Sequence, residues 1–487
     1  MNFKIILKTI GKVLVIEAVL LLIPFIVSLV YGEDLRHVLA SVTVAAVLAV
    51  CGILLDRFLN PETNDFFAKD GLITVSLSWI ALSAFGALPF IISGDIPNYV
   101  DALFETVSGF TTTGASIVDN VELLSRSMIM WRSLTHFIGG MGVLVFLAAF
   151  TSKYSDHAMH IFRAEMTGPK VDKIMPKAKQ TASVLYLIYL GLTVILVIML
   201  LCGGMPFYDS LVHAFGTAGT GGFSMKTDGL ASYSKYCQWV ITIFMLLYGV
   251  NFNVYFLMLM RKFRPVLKSL ELWTYLGVFV GSSAIIAFNI YSMYGSVEES
   301  IRLAAFQVSS IYTTTGYSTA NFDKWPILSK NVLLALTFIG GCASSTAGGL
   351  KISRVIILVK KSANDVKKAL HPRTATSIKF EGKTLSDETV SGVTSYLLLY
   401  VLCFFVIYFL LSFDGAVVDA TAFETNFSAA TACFNNIGPG FAQVGPAASF
   451  SFYSPFSKIV LTFAMLLGRL ELYPLIVTFS PSTWIRK

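Results

Sequence analysis

Four short stretches of this chain are near copies of one another: Thr112-Thr113-Gly114, Thr220-Gly221, Thr314-Thr315-Gly316 and Asn436-Ile437-Gly438. Each follows a segment that reads as a short, half-buried helix, and each stands between two long apolar runs. The spacing gives a unit of about 110 residues repeated four times, too long for a solenoid, whose stacked repeats take ~20–50 residues. It suits a membrane hairpin made of a span, a re-entrant loop and a second span. Four backbone loops meeting at one axis would present a ring of carbonyls in place of an ion's water shell. The pattern implies a selective pathway for a bare cation.

Composition supports the membrane setting. Of 487 residues, 55% are hydrophobic and 13% charged, against ~25% charged in a soluble domain. Runs of about 20 apolar residues match the ~30 Å hydrocarbon core. Ten are expected, at roughly 12–31, 37–55, 71–93, 128–150, 181–203, 237–260, 272–294, 331–358, 391–413 and 456–478. The first follows Lys4, Lys8 and Lys12, but no small-residue cleavage site comes after it, so it reads as a span and not a secretory signal.

Charge orients the spans. Lysines and arginines gather at the N-terminus, in 151–180 (Lys153, Arg163, Lys170, Lys173, Lys177, Lys179), at Arg261, Lys262, Arg264 and Lys268, through 351–390, and at Arg486-Lys487. Ten alternating spans put all of them on one side, the cytoplasmic one by the lysine/arginine rule, with both termini inside. The net charge of +7 follows from this asymmetry, suits anionic lipid headgroups, and needs no nucleic-acid partner.

The expected fold is an all-α integral membrane protein: a two-helix leader (1–70), then four span–re-entrant loop–span repeats with pseudo-fourfold symmetry around a central pore. The repeats run 71–180, 181–271, 272–390 and 391–487. The short helices are expected at Asp101–Phe110, Tyr208–Phe215, Glu299–Ser310 and Asp419–Ala432. Ten to fifteen residues are too few to span a bilayer. Non-helical backbone at that depth survives only inside protein or beside water. A glycine lets the backbone take positive φ and turn successive carbonyls to one axis. A threonine before it stiffens the extended part and offers a further oxygen. Each short helix ends at the loop, so the negative end of its dipole faces the cation.

These residues resemble a known family. Thr111-Thr112-Thr113-Gly114-Ala115-Ser116, Thr220-Gly221-Gly222-Phe223-Ser224, Thr313-Thr314-Thr315-Gly316-Tyr317-Ser318 and Asn435-Asn436-Ile437-Gly438-Pro439-Gly440 look like the filter signatures of the Trk/Ktr/HKT superfamily of potassium transporters. So do Trp131-Arg132-Ser133, Gly139-Gly140-Met141-Gly142 and Gly468-Arg469-Leu470-Glu471, and the two leading spans resemble the Trk branch. The resemblance implies a potassium ion bound in the filter, a homodimer in the bacterial cytoplasmic membrane, and a cytoplasmic nucleotide-binding (NAD or ATP) regulatory subunit. Threonine hydroxyls can line the inner site in at most three repeats, because the fourth has Asn436-Ile437. Serine in place of the first filter glycine accompanies sodium transport in the superfamily, so Gly114 favours potassium.

A second constellation lies in 331–358, where Gly340, Gly341, Ser344, Ser345, Thr346, Gly348 and Gly349 crowd an otherwise apolar span. Each glycine costs a helix ~1 kcal/mol and the hydroxyls offer competing hydrogen bonds, so the helix should break there. Tight helix packing through small residues is the other reading; the resemblance favours an intramembrane gating loop. Arg469, midway along the last span, costs ~2.5–3.5 kcal/mol at that depth and needs a cavity or partner. Its five donors suit the free carbonyls of an unwound loop. Glu471 is off its face for an intrahelical pair.

The six scattered cysteines read as small apolar residues, and His157 and His160 as solvated, so no resident metal or organic cofactor is expected on this chain. No nucleotide-binding or catalytic motif is present in the sequence, and the protein reads as a transporter and not an enzyme. A cation symporter coupling potassium to sodium or protons is the alternative. The lysine-rich cytoplasmic loops, with Lys360, Lys361, Lys367 and Lys368 foremost, are the expected docking surface for an acidic partner.

Overall fold

A computed structural model describes residues 2–59, 66–142, 178–374, 377–417 and 420–484. They form an all-α, multi-span architecture. Two pairs of two-residue strands interrupt the helices: Ile339–Gly340 parallel to Leu350–Lys351, and Lys379–Phe380 antiparallel to Lys383–Thr384. The basic run from Lys153 to Lys177, with His157 and His160, lies outside the described residues, as do Asp419 and Arg486-Lys487.

Among the described residues six helices are long and apolar enough to cross a membrane: Phe3–Val30, Leu35–Phe58, Ala68–Ser93, Gln180–Cys202, Leu270–Tyr294 and Asp387–Leu411. The run 331–358 is broken, as its glycines and hydroxyls led one to expect; 237–260 and 456–478 are also broken, which corrects the expectation of continuous spans there, and 128–150 is described only as far as Gly142. Arg126–Met141 ends at Gly142, where φ turns positive. Lys235–Gly249 and Phe252–Leu259 meet at 90°. Ile327–Thr337 and Ile352–Leu370 are separated by residues 338–351. Pro455–Arg469 and Tyr473–Phe479 are separated by a turn in which Glu471 and Leu472 have φ of 54° and 67°. Apolar composition alone does not hold a helix together where glycines and hydroxyls cluster. Three of these runs are thus broken helices, each preceded in the chain by an unbroken span.

The leader is fastened by close helix packing. The helices Phe3–Leu20 and Leu35–Phe58 cross where Gly11 faces Gly52. A methyl on Gly52 would run into the Gly11 carbonyl and lie 2.7 Å from the Val15 side chain. Such backbone contacts are how helices associate in lipid, where hydrocarbon gives little net drive. The leader then packs on Ala68–Gly86, whose Gly86 carbonyl accepts the Trp131 indole N–H at 2.9 Å. In this way it braces the first unit from behind. Gly52→Val should therefore lower stability by ~1–3 kcal/mol through overpacking. A thermal melt of the detergent-solubilised protein should show a lower midpoint; an unchanged midpoint would mean the contact yields freely.

Candidate functional site: four matched loops and a broken inner helix

The four short helices are Tyr99–Phe110, Phe207–Gly219, Val297–Tyr312 and Ala422–Phe434. Each carries an acid in its first turn (Asp101, Asp209, Glu298 with Glu299, and Glu424), the favourable sign at a helix N-terminus. Asn98 and Ser296 cap the first and third by accepting backbone N–H groups.

All four end in one cap. The N–H groups of Thr113, Gly221, Thr315 and Ile437 reach back to the carbonyls of Ser108, Gly216, Ser310 and Ala432 at 2.8, 2.8, 2.8 and 2.9 Å. The residue before each is left-handed: Thr112, Thr220, Thr314 and Asn436 have φ of 54°, 55°, 55° and 56°. This is a Schellman cap without its usual glycine. A side chain in that conformation costs roughly 1–2 kcal/mol, a strain typical of functional sites.

Two residues on, φ is positive again at Gly114, Gly222, Gly316 and Gly438. Backbone conformation therefore aligns Gly222, and not Gly221, with the other three glycines, a correction of one residue to the sequence alignment. Three glycines within Gly219–Gly222 hid the register. Gly221 instead takes the place of Thr113, Thr315 and Ile437.

The glycines mesh in cyclic order. A Cβ on Gly114 would strike the Gly221 carbonyl; on Gly222, the Thr315 carbonyl; on Gly316, the Ile437 carbonyl; and on Gly438 it would come within 2.7 Å of the Thr113 carbonyl. The same four glycines line one cavity of about 100 Å³, whose wall also includes Asp119 and Lys226.

On the other side of the loops the threonine hydroxyls have separate fates. Those of Thr113 and Thr315 pair with Thr111 and Thr313 at 2.8 and 2.7 Å. Thr220 donates to the Gly219 carbonyl, and Thr314 accepts from the Gly348 N–H at 2.7 Å. The Asn436 amide bridges to Thr113 and to the Met465 carbonyl.

Behind the loops, the residue nine before each glycine differs from copy to copy. Glu105 accepts from Arg132 at 2.6 Å, from Ser116 and from the Ile117 N–H at 3.0 Å. His213 meets Ser224 at 3.4 Å. The Gln307 amide is buried without a partner among the described residues, and the fourth position is Ala429. His136 completes the backing: its Nε2 accepts from the Phe223 N–H at 3.3 Å, so its Nδ1–H donates to the Gly109 carbonyl at 2.8 Å. Sequence reasoning missed Glu105, His136 and Gln307, whose partners lie far along the chain. The nine-residue offset from each glycine was the available signal.

The break at 338–351 is pinched by the parallel bridge from Ile339–Gly340 to Leu350–Lys351. Inside it, Gly341, Ser345 and Gly349 pack within the protein, Ser344 is left-handed, and Gly348 lies against Thr314 and Asn436, within reach of two of the four loops. Arg469 donates to the carbonyls of Thr346 at 2.8 Å, Gly140 at 2.7 Å and Gly139 at 2.5 Å. It thereby ties the broken segment to the end of the first unit's return helix. Glu471 pairs with Arg354 at 2.5 Å, and that guanidinium stacks over Tyr396.

This is a multi-span membrane architecture, and among the described residues no group of three or more His, Cys, Asp or Glu is placed to hold a metal ion. The family model for TrkH, described as a cation transport protein, matches residues 41–281 and 282–486. The chain belongs to that family. It is 33% identical to the Trk system potassium uptake protein TrkH of Escherichia coli over 99% of this chain and 100% of that one. To the Trk system potassium uptake protein TrkG of the same organism it is 34% identical over 85% of both. The crystal structure of the potassium transporter TrkH from Vibrio parahaemolyticus superposes with a TM-score of 0.88 at 29% identity, covering both chains completely.

The Glu105–Arg132 pair, buried on both sides, should be costly to halve. Glu105→Ala or Arg132→Ala alone should lose ~3–5 kcal/mol, and the double variant clearly less than the sum, because one charge without the other is the expensive state. Denaturation of the three variants in detergent would give the coupling energy; additive losses would show that the pair does not act as a unit.

Proposed function

We propose that the protein takes up potassium across the bacterial cytoplasmic membrane through a filter built by its four loops. The supporting observation is the closed cycle in which each loop glycine meets the next loop's carbonyl beside a shared cavity. On this reading the units 71–180, 181–271, 272–390 and 391–487 surround one axis in pseudo-fourfold fashion, behind the leader 1–70, with both termini cytoplasmic. Carbonyls of Thr112, Thr113, Gly114, Thr220, Gly221, Gly222, Thr314, Thr315, Gly316, Asn436, Ile437 and Gly438 replace the ion's water. The negative ends of the four short helices favour a cation there. The membrane potential, ~2.3 kcal/mol per charge per 100 mV, then draws potassium inward.

The segment Gly340–Gly349 is the gate on this reading. Gly348 sits against Thr314 and Asn436, and Arg469, bonded to the Thr346 carbonyl, places positive charge near the pathway. The working unit is a homodimer controlled by a cytoplasmic nucleotide-binding subunit, an assignment supported by the family resemblance and by the exposed lysines of Ile352–Leu370.

Rubidium uptake into proteoliposomes tests the reading. Wild-type protein should accumulate the tracer under an inside-negative potential, with no sodium or proton gradient required; absence of uptake under these conditions would refute it. Gly114→Ser should let relatively more sodium through, read as a shifted reversal potential in mixed salts. Arg469→Ala should raise flux by about tenfold, the effect of a ~1.4 kcal/mol shift in the gate equilibrium, without changing selectivity. A fall in flux from correctly assembled protein would return Arg469 to a packing role.

A further inference from the structure

The gate segment has a second anchor, on the side away from Arg469. Glu271 is the second residue of the helix Leu270–Tyr294 and only 4% exposed. Its carboxylate accepts from the Ala343 N–H at 2.7 Å and from the Asn251 amide at 3.3 Å. Its own N–H donates to Glu381 at 2.9 Å, and the same Glu381 oxygen accepts from the Ser269 hydroxyl at 3.1 Å. One residue therefore touches the broken segment through its side chain and a distant element through its backbone.

That element is the hairpin Lys379–Thr384, which closes the stretch begun by the broken segment. The chain leaves the gate, runs through the helix Ile352–Leu370, and returns in the hairpin to the helix that grips the gate. Lys360 donates to the Lys379 carbonyl at 2.8 Å, and Phe380 packs on the apolar cluster that contains Cys342 of the gate. At the hairpin tip Glu381 and Gly382 have φ of 47° and 76°. Two such residues make the turn that favours asparagine, aspartate or glycine, so glutamate at its first position is strained. Strain there fits a carboxylate placed for its contact with Ser269 and Glu271.

We propose that Glu381 and Glu271 are positioning residues of the gate. The hairpin, capping the helix at Ser269 and Glu271, fixes the Glu271 carboxylate where it pins Ala343. Release of the hairpin from Ser269 and Glu271 loosens the hold on Ala343 and with it the gate segment. The proposal rests on the gate reading of Gly340–Gly349 and adds the route by which the cytoplasmic side reaches it.

The test uses full-length protein without any partner. Glu381→Ala should raise rubidium flux several-fold with the reversal potential in mixed salts unchanged, and should speed hydrogen exchange of residues 339–351 measured by mass spectrometry. Glu381→Gln, which keeps an acceptor oxygen, should restore both to near wild type. If Glu381→Ala does not assemble, Ser269→Ala removes the hydroxyl partner of the same oxygen and should move both readouts in the same direction. Arg469→Ala in parallel separates the two claims. A rise with Arg469→Ala but none with Glu381→Ala or Ser269→Ala overturns the hairpin route alone, and no rise in any of them overturns the gate itself. Equal rises in Glu381→Ala and Glu381→Gln would also overturn the hydrogen-bonded anchor.

Discussion

The contact of a bare glycine with the next loop's carbonyl is the constraint on which the rest depends. At Gly114, Gly222, Gly316 and Gly438 there is no room for even a methyl group without moving a neighbour's backbone. That closeness is possible because the preceding short helices all stop with the same six-residue cap, which delivers each loop at the same angle. The cap in turn requires a left-handed residue, and the chain places threonine or asparagine there at an energetic cost. The polar backing of Glu105 and Arg132, His136 and His213 holds the outer limbs against that strain.

The broken return helices solve a shared problem. Irregular backbone within a membrane must find its hydrogen bonds inside the protein, and here the breaks satisfy one another. The Cys342 N–H of the third break donates to the Gly249 carbonyl at the second, at 2.9 Å, and the Phe252 N–H beyond the second donates to Ser344 at 3.2 Å. From the end of the fourth, Arg469 serves Thr346 of the third and Gly139 and Gly140 of the first. Three interruptions that would each be expensive alone, together with the end of the helix Arg126–Met141, become one connected polar layer.

Much of this was legible in the sequence, for identifiable reasons. Repetition exposed the four loops, and apolar length exposed the spans. Arg469 was legible because a guanidinium in an apolar run must find carbonyls, and Thr346 was among the residues expected to supply them. The register of the second loop was not, since Gly219, Gly221 and Gly222 look alike until φ separates them. Nor were the partners of Glu271, Glu471 and Glu105. They lie at Ala343, Arg354 and Arg132, and no periodicity within a helix connects residues brought together by the packing of different ones. Hydropathy also read through the breaks, because Gly249 and the Leu470–Leu472 turn leave an average over twenty residues almost unchanged.

The four residues behind the loops, Glu105, His213, Gln307 and Ala429, differ in charge, size and hydrogen-bonding capacity. In an assembly of four identical chains a substitution at such a position would alter every quarter at once. Here one gene carries the four quarters separately, so mutation can adjust a single wall and leave three as they were. On the proposed filter reading, drift can thus explore the ion's surroundings in small steps. An acid, an imidazole, an amide and a methyl group at equivalent places are the residue of that freedom: symmetry survives in the backbone, where closure demands it, and has been given up in the side chains, where it does not.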